Sequence, residues 1–321
     1  MVRVDRPAMG SFFEIRLPAS MSGAVSLACG ALDLIEALEA QMTVYREDSE
    51  ISELNRTAYQ ATVRVERRLF ALLESAVELS RQTGGAYDVT SGALSEAWGF
   101  VKGPKRVPDP AALARARECT GWQHLRLDRA EQTIAFDRDG IRINLGSIGK
   151  GYAIDRAIEL IRNNSLFDSA LVHGGRSSLF ALGSPPGQFG ARWEIALRNP
   201  FAPDSPLGVL RLRNRGLGTS GAAFQQFVVD EKVYGHIIDP RTGEPAHGPA
   251  SVTVLAPDAA MADALSTAFF LLGPEAAAAY TADHPEIGAV FVMEGASEGS
   301  PRVVALGLSE SDFVPANETL N

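Results

Sequence analysis

The 321-residue chain is 45% hydrophobic and 21% charged, an ordinary globular make-up with room for one large domain or two modest ones. A formal net charge of −9, with no basic face to offset it, argues against a nucleic-acid partner. The two cysteines, Cys29 and Cys119, are far apart and outside any CxxC, which excludes a disulfide framework or a zinc pattern, and no stretch reaches the length of a membrane span.

No apolar run follows Met1-Val2-Arg3-Val4-Asp5-Arg6, so no secretory signal is read there. A cytoplasmic location is the expectation; the cell envelope would apply if a leader had been removed. Residues 9–17 read as a turn at Met9-Gly10 feeding an alternating strand. Leu27, Leu34, Ile35 and Leu38 recur at helical spacing, predicting an amphipathic helix over 24–41. Ser49, with Ser52 and Glu53 behind it, marks the start of a short helix. A second amphipathic helix is predicted over 68–83 and is stopped by Gly84-Gly85. In the Ala86-Tyr87-Asp88-Val89-Thr90 segment that follows, Asp88 reads as a ligand or, more commonly for Asp, as a cap.

A short helix is predicted over 110–118, a hairpin over 125–127 and 133–136, and a strand over 141–145. That strand runs into Gly146-Ser147-Ile148-Gly149-Lys150-Gly151, a glycine-rich entry to a helix. Backbone amides at a helix start suit phosphate oxygens, and Lys150 adds a charge. The stretch is neither a Walker A sequence nor a GxGxxG fingerprint, and a plain packing turn explains it equally well. Further strands are predicted over 169–172, 179–182, 193–197, 207–212 and 224–229, with Gly218-Thr219-Ser220-Gly221 as a small-residue turn. Segments 287–292 and 303–306 read as strands, and residues 309–321 as a loose polar tail. Strands outnumber helices and come in hairpin-like pairs, which favours an α+β or mixed sheet over a doubly wound one.

The richest stretch is 234–267. His236 precedes Asp239-Pro240-Arg241-Thr242-Gly243, whose residues suit a tight turn. A β-branched strand over 251–255 follows, and Pro257-Asp258 opens a helix that Gly273-Pro274 ends. Asp263 lies among small and apolar neighbours in that helix, and a buried carboxylate needs a cation or several donors. Thr267 sits four residues on, over the same helix face. An all-oxygen pair suits Mg²⁺ better than a soft metal. The alternative is an Asp satisfied by backbone donors and a Thr bonded to its own helix.

These segments, in this order, resemble the FAD:protein FMN transferases of the ApbE type. The resemblance runs from Met9-Gly10-Ser11 through Tyr45-Arg46, Gly85-Ala86-Tyr87-Asp88-Val89-Thr90, Leu145 to Ala157, Thr219-Ser220-Gly221 and His236 to Gly243, and on to Ala262-Asp263-Ala264-Leu265-Ser266-Thr267-Ala268. It implies a T-fold-like α+β architecture with mixed or antiparallel sheets, packed helices and a central cleft for FAD and metal. One domain over 1–308, of two intertwined halves, is expected, with 309–321 as tail. Asp263 and the Thr267 hydroxyl would bind Mg²⁺, with backbone carbonyls of Ser147 and Ser266. Met9, Tyr45, Ala86, Tyr87, Asp88, Asn144, Lys150 and Ile237 fall where the family contacts FAD, and His236 matches the catalytic base.

The reaction so implied moves FMN from FAD to a threonine hydroxyl of an acceptor flavoprotein and releases AMP. An FAD pyrophosphatase or a non-catalytic FAD-binding protein are the competing readings, and no membrane insertion is expected. Three positions depart from the family pattern. Gly174-Gly175-Arg176-Ser177-Ser178 stands for Gly-Gly-Asp/Asn, Ser220-Gly221-Ala222 for Ser-Gly-Asp/Asn, and Asn144 for a common Asp.

Overall fold

The computed structural model describes residues 1–164, 167–221, 226–297 and 299–316. The chain divides into two compact units, one made of residues 1–38, 148–221 and 248–321, the other of 39–147 and 222–247.

The first unit is built on an eight-stranded sheet. Its order is Val2–Ala8, Ser11–Leu17, Ala170–Gly174, Ser178–Leu182, Arg215–Gly221, Ser251–Ala256, Gly288–Glu294 and Pro301–Leu306. Every neighbouring pair is antiparallel. Met9 and Gly10, at φ of 50° and 67°, form the two-residue turn of the first hairpin, where both central residues need positive φ. The sequence reading has no strand over Val2–Ala8; pairing with Ser11–Leu17 creates one. One sheet face carries Leu171, Ala181, Leu217, Leu255, Val290 and Val292 into a buried cluster. A small sheet of Trp193–Leu197, Gly208–Leu212 and Phe313–Pro315 closes that cluster with Trp193, Leu197, Leu210, Leu212 and Phe313.

Side chains alternate across a strand, so Gly216, Gly218 and Ser220 look to the face opposite Leu217. There the Ala259–Asp283 helix packs, together with the Gly149–Arg162 helix. Asp258 caps the former by accepting the Met261 amide at 2.7 Å. Its first helical run ends where expected, at Gly273 (φ 78°, ψ 174°) before Pro274, and a second run continues from there to Asp283. The helix lies nearly on the backbone of the sheet. A Cβ at Gly216 would sit 2.4 Å from Ala259 N, and one at Gly218 2.4 Å from Ala262 C and O. Gly151 has the same relation to the other helix: its Cβ would lie 2.1 Å from Ala259 O.

The second unit holds the helices Glu50–Thr57, Arg67–Gln82, Gly92–Ala97 and Pro110–Glu118. Val63–Arg64, Thr133–Phe136 and Leu125–Asp128 form a small sheet, and Gln226–Val229 with Lys232–Gly235 forms a hairpin. Leu94, Trp98, Ala116 and Ile238 make its buried cluster, flanked by Phe100, Phe227 and Tyr234.

Three expectations are corrected. Residues 141–145 make one bridge, Ser91 to Arg142, instead of a strand. The Asn55 side chain accepts the Ile143 amide at 2.7 Å and donates to its carbonyl at 2.9 Å, and Val89 O takes the Asn144 amide, so a side chain replaces the ladder. Residues 218–221 are central strand, not a turn, because the overlying helix needs small residues beneath it. The tail is anchored through residue 316: Phe313 is buried, Phe313–Pro315 pairs with Gly208–Leu212, and Asp312 bonds Arg192 at 2.6 Å. Residues 317–321, Ala222 and the first two residues of the strand read at 224–229 lie outside the described residues. Among the described residues no helix is long and apolar enough to cross a membrane.

Gly218→Ala is expected to destabilise the protein by about 1–3 kcal/mol through forced overpacking. Gly30→Ala, in a helix position where a Cβ meets nothing within 4 Å, should be stabilising by up to about 1 kcal/mol. Urea unfolding of the two variants checks the contrast.

Candidate active site

Strand and helix meet at three successive points. Gly216 lies under Asp258 and Ala259, Gly218 under Ala262 and Asp263, and the Ser220 hydroxyl bonds Ser266 Oγ at 2.8 Å and Thr267 Oγ1 at 3.1 Å. Ser178 is the cross-strand partner of Gly218, which puts its hydroxyl beneath Asp263. It donates to Asp263 Oδ1 at 2.6 Å. The Gly151 amide donates to Asp263 Oδ2 at 2.7 Å, an approach only glycine allows there.

Asp263 is 5% exposed. Burial raises its pKa above the ordinary value, against the Lys150 charge, the Ser178 hydroxyl and the Gly151 amide, which lower it. Its two donors leave one lone pair on each carboxylate oxygen. Ser266 Oγ donates to the Asp263 carbonyl at 2.8 Å, whereas the Thr267 hydroxyl meets Ser220 across to the strand. Of the two readings of this pair, the carboxylate finds one backbone donor, and the threonine finds its hydroxyl partner off its own helix.

The donor chemistry is hard and oxygen-only. Among the described residues no group of three or more His, Cys, Asp or Glu gathers to hold a metal. A cation here would rest on one carboxylate, hydroxyl and carbonyl oxygens, and oxygens from water or a phosphorylated ligand. That set fits Mg²⁺, which typically uses one or two protein carboxylates and substrate phosphates.

Sequence reasoning did not single out Gly151, Ser178, Ser220 or Asp155 individually. Asp155, one turn along the Gly149–Arg162 helix from Gly151, accepts from the Ala259 and Ala260 amides at 2.8 Å each. Burial, then the nearby Asp258 charge, push Asp155 up to about 8, opposed by those two amides. The available signal was an Asp in mid-helix beside a glycine-rich entry.

In the second unit, His236 follows the Lys232–Gly235 strand and sits edge-on to Phe100, ring centroids 6.5 Å apart. Its segment is pinned on both sides. Tyr234 packs on Trp98 and Phe227 at 5.4 and 5.3 Å. Ile237 O accepts the Ala246 amide at 2.8 Å, Asp239 O accepts the Gly243 amide at 2.7 Å, and Trp98 Nε1 donates to Gly243 O at 2.8 Å. The Asp239 to Gly243 turn stands as read. Ile237 is buried, and Tyr45 is 65% exposed on the loop before Ser49, whose side chain caps its helix as expected.

Ala86, Tyr87 and Asp88 are buried after the Gly84-Gly85 bend. Asp88 holds the loop together: its oxygens accept from Thr90 N (2.9 Å), Thr90 Oγ1 (2.6 Å) and Trp122 N (3.0 Å). Thr90 Oγ1 in turn accepts the Gly121 amide at 2.7 Å. Asn144 Oδ1 accepts the Gly146 amide at 2.8 Å and shapes the turn into Ser147. Met9, on the first hairpin turn, and Lys150, at the start of the Gly149–Arg162 helix, are half-buried in the first unit.

Comparison with known proteins identifies the family and the fold. Residues 9–291 match the model of the ApbE family. The FAD:protein FMN transferase of Treponema pallidum is 36% identical over 273 residues, 81% of this chain and 75% of that protein. The Salmonella typhimurium protein of the same name is 30% identical over 249 residues, 76% and 70% of the two chains. Among solved structures, the ApbE protein of Thermotoga maritima superposes with a TM-score of 0.85 at 28% identity, covering 95% of this chain and 96% of its own. The flavin transferase ApbE of Vibrio cholerae gives 0.81 at 26% identity, with the same coverage.

A carboxyl group held at about 8 binds its proton more tightly folded than unfolded, where the ordinary value is 3.8. The stability it contributes is complete below that lower value and is lost as pH rises towards about 8. Asp155→Asn should therefore flatten the decline of stability between pH 5 and pH 8 in urea melts.

Proposed function

The chain belongs to the ApbE family, and from that premise we propose that it is an FAD:protein FMN transferase, dependent on Mg²⁺, that modifies a threonine of an acceptor protein. The observation that carries the reading is the oxygen-only cluster of Asp263, Ser266 and Thr267, packed on the Arg215–Gly221 strand.

Asp263 and Thr267 would hold the ion, with backbone carbonyls of Ser147 and Ser266. When bound, it neutralises charge on the FAD diphosphate and on the departing AMP. Asp263 suits that role because a buried carboxylate with spare lone pairs gains from a cation what burial costs it. Lys150 adds a fixed positive charge beside it. Met9, Tyr45, Ala86, Tyr87, Asp88, Asn144 and Ile237 contact FAD together with Lys150. Since three donors already engage the Asp88 carboxylate, that residue serves mainly by holding its own backbone in place.

In the transfer, the threonine oxygen attacks the FMN-side phosphorus of the diphosphate. A new phosphoester P–O bond forms and the P–O bond to AMP breaks. His236 takes the hydroxyl proton as general base. The stacked and hydrogen-bonded surroundings of residues 234–243 restrict where its ring can point, as a base poised for one acceptor hydroxyl requires.

The test incubates the protein with FAD and Mg²⁺, with and without an acceptor domain. AMP that appears only with acceptor, alongside a fluorescent flavinylated band, is the expected result. AMP with free FMN and no acceptor would make the protein a pyrophosphatase, and bound FAD without AMP would make it a binding protein. Asp263→Ala is expected to abolish metal-dependent AMP release. His236→Ala should slow transfer by ~10²–10⁴-fold while FAD binding, followed by fluorescence quenching, persists. Full transfer by either variant contradicts its assigned role.

A further inference from the structure

The Ala259–Asp283 helix presents four unpaired amides at its start, as every α-helix does. Asp258 takes one of them, Met261 N, through its side chain, while its carbonyl accepts the Ala262 amide at 3.3 Å as the first bond of the helix proper. Two more, Ala259 N and Ala260 N, go to a residue of another helix, Asp155. A local cap would have met the same need without tying two helices together.

The position of that tie is informative. Gly151 bonds Asp263; Asp155, four residues after Gly151, bonds Ala259, four residues before Asp263. Four residues span ~6 Å along an α-helix. The two contacts are thus equally spaced on both helices and are satisfied together in one antiparallel register. A slip by one residue would break both and carry Asp263 and Thr267 away from Ser178 and Ser220. The glycine contacts with the strand exclude side chains but supply no directional bond, so they do not by themselves resist sliding along the helix axis.

We propose that Asp155 is a positioning residue for the metal-binding pair: it locks the register of the Ala259–Asp283 helix and so places Asp263 and Thr267, while touching neither. This rests on the function proposed above. Residues that orient ligands from outside the coordination sphere typically contribute ~10–100-fold to metal affinity.

The experiment measures Mn²⁺ affinity in the presence of FAD, from the electron paramagnetic resonance signal of free Mn²⁺, for the wild type, Asp155→Ala, Asp155→Asn and Asp258→Ala. Asp258→Ala removes a cap from the same helix without touching the tie between helices. Asp155→Ala is expected to weaken Mn²⁺ binding at least ~10-fold. Asp155→Asn, which keeps one acceptor oxygen, should fall between it and the wild type. Asp258→Ala should lower the melting temperature and leave Mn²⁺ affinity at the wild-type value. The proposal is overturned if Asp155→Ala binds Mn²⁺ like the wild type, or if Asp258→Ala weakens it equally. Should Asp155→Ala not fold, Asp155→Asn decides against Asp258→Ala on the same scale, and equal affinities overturn the proposal. A wild type that binds no Mn²⁺ with FAD present defeats the metal reading itself, a result distinct from a tight-binding wild type matched by Asp155→Ala.

Discussion

Two residues of extended strand and four residues of α-helix cover similar distances, about 6.8 and 6 Å. The Arg215–Gly221 strand and the first three turns of the Ala259–Asp283 helix use that near-match. Gly216, Gly218 and Ser220 meet the helix at successive turns, the first two as bare backbone and the third through its hydroxyl. The absence of side chains lets the helix come down until Asp263 reaches Ser178 on the next strand and Gly151 on the next helix. The placement of the candidate metal-binding carboxylate follows from that close approach.

The same approach has an electrostatic consequence. Asp155, Asp258 and Asp263 all lie in the N-terminal part of one assembly of helices, and burial holds all three above the ordinary carboxylate range. Each is met by backbone amides: Asp155 by two, Asp258 and Asp263 by one apiece. The positive end of the Ala259–Asp283 helix compensates part of the cost. Asp263 differs from the other two in also having Lys150 and a serine hydroxyl beside it, which fits a carboxylate that works in its charged form.

The second unit reaches order by another route. Its candidate FAD-contacting segments are loops, and side chains do for them what a ladder does for a strand. Asn55 supplies both hydrogen bonds of Ile143, Asp88 gathers three donors from 90 and 122, and Trp98 grips the carbonyl of Gly243. Such loops keep their backbone polar groups satisfied while leaving residues such as Tyr45 outward. Of the departures from the family pattern, the serine run after Gly174-Gly175 has a visible use: Ser178 is a donor to Asp263. Asn144 shapes the turn into Ser147 with its own side-chain oxygen. Among the described residues Arg176 shows no such contact.

Much of this was legible along the chain. The Asp258 cap, the Asp239 to Gly243 turn, the Ser49 helix start and the Pro110–Glu118 helix depend on neighbours within a few residues, and local chemistry names them. The order of modest motifs from Met9 to Thr267 sufficed to indicate the family, since order and spacing belong to the sequence itself. Gly218 to Gly221 looked like a turn because small residues usually mark one; here they are small because a helix lies on them. Residues 141–145 looked like a strand because apolar Ile141, Ile143 and Leu145 alternate with Arg142 and Asn144; the partner of Ile143 turned out to be a side chain 88 positions away. The sequence by itself determined which residue types stand at which spacing, and so the family and the candidate carboxylate. Only the tertiary structure decided that Gly151, Ser178, Ser220 and Asp155 converge on that helix, because register between elements distant in sequence is set by close packing and leaves no periodic trace in any one of them.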